Sequence, residues 1–133
     1  MKILYVCEGN INRSQMAGTI HKVLAPLDIV TTAGVYAENA GKKLVDVPQE
    51  SIESMREIGF DMTDNVVTQL TSELINDADK VVLMGPVPGG PIPDYLKNSP
   101  TLETWDVPDP GYGQISVRDA RDVIVDKVGE LVS

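Results

Sequence analysis

The sequence predicts a single-domain α/β fold, a central parallel sheet with helices on both faces. Two observations carry that expectation. Short apolar runs, Ile3 to Val6, Ile29 to Ala33 and Val81 to Met84, alternate with segments whose apolar residues recur at helical spacing, the pattern of parallel strands joined by crossover helices. The length of 133 residues suits one domain with a sizeable hydrophobic core, and no repeat or linker-like stretch divides it.

The elements follow in order. Lys2 to Val6 reads as a buried strand. A turn containing glycine and asparagine leads into a helix over Ser14 to Leu24, with Met16, Ala17, Ile20, Val23 and Leu24 at helical spacing and Pro26 as its stop. Ile29 to Ala33 is a second strand, and Gly34 to Asp46 has no period and reads as a loop. Pro48 suits the first turn of a helix reaching Ile58, with Ile52, Met55 and Ile58 as its apolar positions and Gly59 as a stop signal. Thr71 to Ala78 reads as a short helix and Val81 to Met84 as a third strand. Gly85 to Pro93 holds four prolines and three glycines and is a loop with stiff elements; Trp105 to Gly113 is a second loop with functional residue types. Ser116 can cap the last helix, Asp119 favours its N-terminal dipole, and Val117, Ala120, Val123, Ile124, Val128 and Leu131 form its stripe.

Composition narrows the function classes. No apolar run approaches the ~20 residues of a membrane span, and the Ile3 to Val6 run is too short for a signal peptide, so the expected location is cytoplasmic. Twenty acidic residues against eleven basic ones leave a net charge of −9, which disfavours nucleic acid and anionic membrane partners. Any phosphate chemistry must then come from a locally positive pocket. Cys7 is the single cysteine and His21 the single histidine. An intramolecular disulfide and a structural zinc site of the usual kind are excluded, and neither metal nor cofactor is expected.

In open parallel sheets the ligand sits beyond the carboxyl ends of the strands. Cys7 lies at that end of the first strand, and a helix begins right after the loop Cys7-Glu8-Gly9-Asn10-Ile11-Asn12-Arg13-Ser14. A loop of that length curled onto a helix start can aim several backbone N–H groups at one anion. Gly9 and Asn10 tolerate the left-handed backbone angles such curling needs. Arg13 offers a planar fork for two oxygens of a tetrahedral anion such as phosphate, sulfate or arsenate. A Cys7 thiolate beneath that anion, favoured by the dipole and by Arg13, is a nucleophile already in place. The competing reading is a structural turn around a buried cysteine.

The stretch from Val6 to Ala17 resembles the signature loop of the low-molecular-weight protein tyrosine phosphatase superfamily, which includes the thioredoxin-coupled arsenate reductases. The likeness continues through Thr32-Ala33-Gly34, Gly59-Phe60-Asp61-Met62, Asp79 to Met84 and Trp105-Asp106-Val107-Pro108-Asp109-Pro110, nearly the whole chain in the right order. The resemblance implies a central four-stranded parallel sheet. It implies Cys7 as nucleophile, Arg13 as anion clamp and Asp109 as the acid that protonates the leaving oxygen, with Asp106 the runner-up by spacing. It places Glu8, Gly9, Asn10, Ile11, Asn12, Arg13 and Ser14 around the anion and Tyr36 and Tyr112 at the rim. Thr32 and Asn65 become supporting residues, Asn65 where many members have histidine.

The departures from the family matter as much. Position 12 is asparagine where many of these phosphatases have a second cysteine that shields the nucleophile on oxidation. The segment Met84 to Pro91 resembles the arsenate reductase branch but lacks its cysteines, so a self-contained three-cysteine reduction cycle is excluded. Glu38 falls where an aromatic residue is common, and Gly111 replaces one usual tyrosine. Glu8 and Glu38, if they face the mouth, would disfavour very acidic peptides. The leading expectation is a cysteine-dependent phosphatase acting on a phosphate-bearing protein or small aryl phosphate. The alternatives are a single-cysteine arsenate reductase that uses an external thiol and a non-catalytic oxyanion-binding module.

Overall fold

The computed structural model describes residues 1–133. Strands β1 (Lys2–Cys7), β2 (Ile29–Gly34), β3 (Lys80–Gly85) and β4 (Leu102–Asp106) form one parallel sheet in the order β2-β1-β3-β4. The helices are α1 (Arg13–Leu24), α2 (Ser51–Arg56), α3 (Ser72–Asp77), α4 (Asp94–Lys97) and α5 (Val117–Val132). The expected α/β architecture is what forms.

Alternation along β1 assigns the two faces. Ile3, Tyr5 and Cys7 point into a core shared with Met16, Ala17 and Ile20 of α1, Ile52 and Met55 of α2, and Ala120, Ile124 and Val128 of α5. Leu4 and Val6 point the other way, into a smaller core with Val81, Leu83, Ile75 of α3 and Leu96 of α4. A strand covered on both sides needs a continuous apolar run, which Ile3 to Val6 supplies. Burying each such large apolar side chain stabilises the fold by roughly 1.5–3 kcal/mol.

Several boundaries differ from the periodicity. β4 has no counterpart in the periodicity, which leaves Leu102 to Thr104 unassigned and reads a loop from Trp105: it is an edge strand with only Trp105 buried, so Leu102-Glu103-Thr104-Trp105-Asp106 carries no apolar run. The four-residue α4 is hidden just after a proline-rich stretch. α2 starts at Ser51, not at Pro48: its N-cap residue Glu50 makes no side-chain cap bond, and the Gln49 side chain before it accepts the Ile52 N–H at 2.9 Å. Val23 and Leu24 of α1 and Val123 of α5 are exposed, and Ile58 lies past the end of α2. α1 and α5 bury polar groups instead: His21 bridges the Tyr5 hydroxyl and the Asp28 carboxylate at 2.7 Å each, and Arg121 donates to the Ser54 carbonyl at 2.6 Å and to Glu57 at 2.8 Å. No helix is long and apolar enough to cross a membrane.

Candidate active site

The carboxyl ends of β1, β2 and β3 converge at Cys7, Gly34 and Gly85. Between Cys7 and the start of α1 the chain curls through Glu8 to Asn12, and Asn10 adopts a left-handed φ of 58°. The end of β2 presses against this curl: a Cβ at Gly34 would lie 2.8 Å from the Asn10 nitrogen and the Glu8 carbonyl oxygen, so only glycine permits the approach. The Val35 and Tyr36 N–H groups then donate to the Cys7 and Glu8 carbonyls at 2.9 and 2.8 Å.

Asn10 is fully buried and uses its whole side chain. Nδ2 donates to Ser14 Oγ at 2.7 Å and to Thr32 Oγ1 at 3.0 Å, while Oδ1 accepts from Gln15 Nε2 at 3.0 Å and from the Thr68 N–H at 2.8 Å. An amide nitrogen only donates, so Ser14 Oγ accepts here and its own proton is free for Cys7 Sγ, 3.0 Å away. Ser14 is thus set to donate to a thiolate. Asn65 Nδ2 donates to Gln15 Oε1 at 3.0 Å and to Thr19 Oγ1 at 3.2 Å, so it braces the loop one residue removed. Ser51, at the start of α2, donates to the Ile11 carbonyl at 2.9 Å. The Asn12 side-chain oxygen is buried without a partner.

Arg13 is 1% exposed, and its guanidinium is seated by carbonyls from the far half of the sheet. Nη1 donates to Met84 O at 2.9 Å, Pro86 O at 3.1 Å and Val107 O at 2.8 Å. Nη2 meets Asp109 Oδ2 at 3.1 Å. Asp109 Oδ1 accepts the Gly111 N–H at 2.9 Å, which fixes the carboxylate at the head of the short turn Pro110–Tyr112. Cys7, Glu8, Gly9, Ile11, Asn12, Arg13, Asp109 and Gly111 line a cavity of about 170 Å³. A larger polar groove of about 360 Å³ lies behind the loop, lined by Gln15, Thr19, Lys22, Thr32 and Asn65 among others. Only the smaller cavity brings a thiol, a guanidinium and a carboxyl group together.

The rim is tied across three loops. Glu8 accepts the Gly89 N–H with one oxygen and the Tyr112 hydroxyl with the other, the latter at 2.7 Å. That bond is the main cause holding the Tyr112 phenol above its ordinary proton affinity. Tyr36 donates from its hydroxyl to the Pro91 carbonyl. Asp106 ends β4, and Asp109, not Asp106, lines the cavity. No group of three or more His, Cys, Asp or Glu side chains is placed to hold a metal ion.

The family model for low molecular weight phosphotyrosine protein phosphatase matches residues 2–133. The chain belongs to that family. Among curated members, the probable low molecular weight protein-tyrosine-phosphatase EpsP of Ralstonia solanacearum is 35% identical over 83 residues, covering 62% of this chain and 54% of that protein. Arsenate reductase 2 of Staphylococcus epidermidis is 30% identical over 115 residues, covering 81% and 77%. Matches to the relatives thus span from about half to three quarters of their length. Among solved structures, Wzb of Vibrio vulnificus in complex with benzylphosphonate superposes with a TM-score of 0.80 at 26% identity, covering 98% and 96% of the two chains. The arginine phosphatase YwlE of Geobacillus stearothermophilus gives a TM-score of 0.79 at 26% identity, covering 98% and 90%.

Of the residues assigned from sequence, Cys7, Glu8, Gly9, Ile11, Asn12, Arg13 and Asp109 line the cavity, Asn10, Ser14, Thr32 and Asn65 lie behind it, and Tyr36 and Tyr112 stand at the adjoining rim. Gln15, Ser51 and the Thr68 backbone escaped that reading. Gln15 looks like an ordinary polar helix position, and only its 2% exposure marks it as a brace. Ser51 and Thr68 act from 40 and 58 residues away from their partners in the loop, beyond any local pattern.

Proposed function

We propose that the chain is a cysteine-dependent phosphatase of aryl phosphomonoesters, with protein phosphotyrosine as its substrate class. The gathering of Cys7, Arg13 and Asp109 around one small cavity at the sheet's carboxyl edge carries this reading. A phosphate entering the loop meets backbone N–H groups at the start of α1 and the Arg13 fork, which stabilise charge on its outer oxygens. Cys7 Sγ attacks phosphorus; the Sγ–P bond forms as the P–O bond to the leaving group breaks. The leaving oxygen takes its proton from Asp109. Water then attacks phosphorus and gives its proton to Asp109, the P–Sγ bond breaks, and inorganic phosphate leaves with a Cys7 thiolate restored. Ser14 donates to that thiolate at the start and end of the cycle.

The Arg13–Asp109 contact gives the carboxyl group a place to rest between turnovers. A phosphate dianion in the loop competes with Asp109 Oδ2 for Arg13 Nη2. The presence of one cysteine, and none between Gly85 and Pro93, supports hydrolysis over a self-contained arsenate reduction.

The test is steady-state turnover of p-nitrophenyl phosphate and a phosphotyrosine peptide by the purified protein with chelator present. Parallel arms offer phosphoarginine and arsenate plus external thiols, activities that the YwlE and Staphylococcus relatives raise. Turnover of both aryl phosphates that is lost in Cys7→Ser supports the proposal. Arsenate consumption alone, or phosphate binding with no turnover in any arm, sinks it.

A further inference from the structure

A second cavity of about 400 Å³ adjoins the first and shares Glu8, Gly9 and Ile11 with it. Its other walls are Tyr36, Glu38, Asn39, Gly89 and Tyr112. On the phosphatase reading, it is the space beside the loop open to the rest of a phosphorylated substrate. Its charge is one-sided: Arg13 is the only cation lining either cavity, against Glu8, Glu38 and Asp109. The Arg13 guanidinium is held by three carbonyls and Asp109, so it does not neutralise the rim.

The Glu8 carboxylate is fixed in place. Each oxygen holds one hydrogen bond, to the Gly89 N–H and to the Tyr112 hydroxyl, and each retains a second lone pair for a further donor. Both tyrosine rings are tethered at their hydroxyls, yet Tyr36 and Tyr112 stay 39% and 49% exposed. Aromatic surface beside the fixed Glu8 carboxylate and the exposed Glu38 attracts an ammonium or guanidinium group through ion pairing and cation–π contact.

Resting on the phosphatase reading, we infer that Glu8 and Glu38 select phosphotyrosine substrates with a lysine or arginine next to the phosphorylated residue. The phosphotyrosine ring passes along Ile11 between Tyr36 and Tyr112. The neighbouring cation reaches Glu8 or Glu38 and offsets the repulsion between those carboxylates and the arriving phosphate dianion. An acidic neighbour meets that repulsion uncompensated.

The experiment compares kcat/KM for three phosphotyrosine peptides that differ only in having Arg, Ala or Glu beside the phosphotyrosine. Partly exposed ion pairs contribute little singly, so the expected preference of Arg over Glu is about tenfold at low salt, carried mainly by KM. It shrinks on raising ionic strength to about 0.5 M. In the double variant Glu8→Gln, Glu38→Gln the Arg-over-Glu ratio falls to about twofold. The ratio is the readout, so a general loss of activity in the variant does not enter. Equal efficiency on all three peptides, or a ratio unchanged in the double variant, overturns the inference and leaves the phosphatase reading standing. Failure to turn over any aryl phosphate removes both.

Discussion

Replacing Asn10 by alanine is the most direct trial of how the loop is held. Four hydrogen bonds are lost at once, to Ser14, Thr32, Gln15 and the Thr68 N–H. Ser14 and Gln15 have other partners, but the Thr32 hydroxyl and the Thr68 N–H do not, and orphaning the N–H costs about 1–3 kcal/mol. The lost bonds contribute about 0.5–1.5 kcal/mol apiece on a net basis where no partner replaces them. Alanine at the left-handed φ of 58° adds about 1–2 kcal/mol that asparagine largely avoids. The expected destabilisation is about 3–5 kcal/mol, a large share of the roughly 5–15 kcal/mol total of an ordinary domain. For a chain of 133 residues it lowers Tm by about 10–15 °C. Urea unfolding followed by circular dichroism measures the change, and Asn10→Gly separates the backbone part because glycine pays no left-handed penalty. If Asn10→Ala unfolds within about 1 kcal/mol of the parent, the network is not what shapes the loop.

Asp109→Asn removes the proposed acid and is expected to lower kcat by about 10²–10⁴-fold on phenyl phosphate. The loss should be smaller on p-nitrophenyl phosphate, whose leaving group needs less protonation; equal losses on both would remove the acid role. Asn12→Cys places a second thiol in the loop beside Cys7. After brief peroxide exposure the parent should lose activity that dithiothreitol recovers only in part, whereas the variant should recover nearly all of it through a reducible disulfide. Glu57 is held below its ordinary value of 4.5, first by the hydrogen bond from Arg118 and then by that from Arg121. Its contribution to stability is therefore complete above about pH 4.5 and lost as pH falls through the depressed value. Asp28, lowered from 3.8 chiefly by its bond to His21, adds to the same acid limb. Glu57→Gln should flatten the fall in stability below pH 4.5, read from urea midpoints across pH, and leave the neutral-to-alkaline side with a constant offset.

What could be read from the chain divides along physical lines. β1 and β3 are legible because strands covered on both faces need unbroken apolar runs. β4 is not, because an edge strand with one buried residue, Trp105, has no such need. The Cys7 to Ser14 loop is legible because its residue types and its place between strand and helix are local. The bonds that hold it are not: Gln15 faces inward from a helix position that looks ordinary, and Glu8 reaches Gly89 and Tyr112 across 81 and 104 residues. Asparagine stands at position 65, where the family resemblance implies histidine in many members. The shorter amide still reaches the loop because Gln15 relays the contact.

The seat of Arg13 bears on when this protein becomes reactive. Its guanidinium is anchored at Met84, Pro86 and Val107, residues 71, 73 and 94 positions further along the chain. The loop that carries the nucleophile is pinned by Ser51 and Thr68, and the seat of its Arg13 exists only where β3 and β4 have docked. Contacts of such long sequence separation form late because the intervening chain must be ordered first. A chain in which β3 and β4 have not docked therefore presents Cys7 without a seated Arg13 beside it.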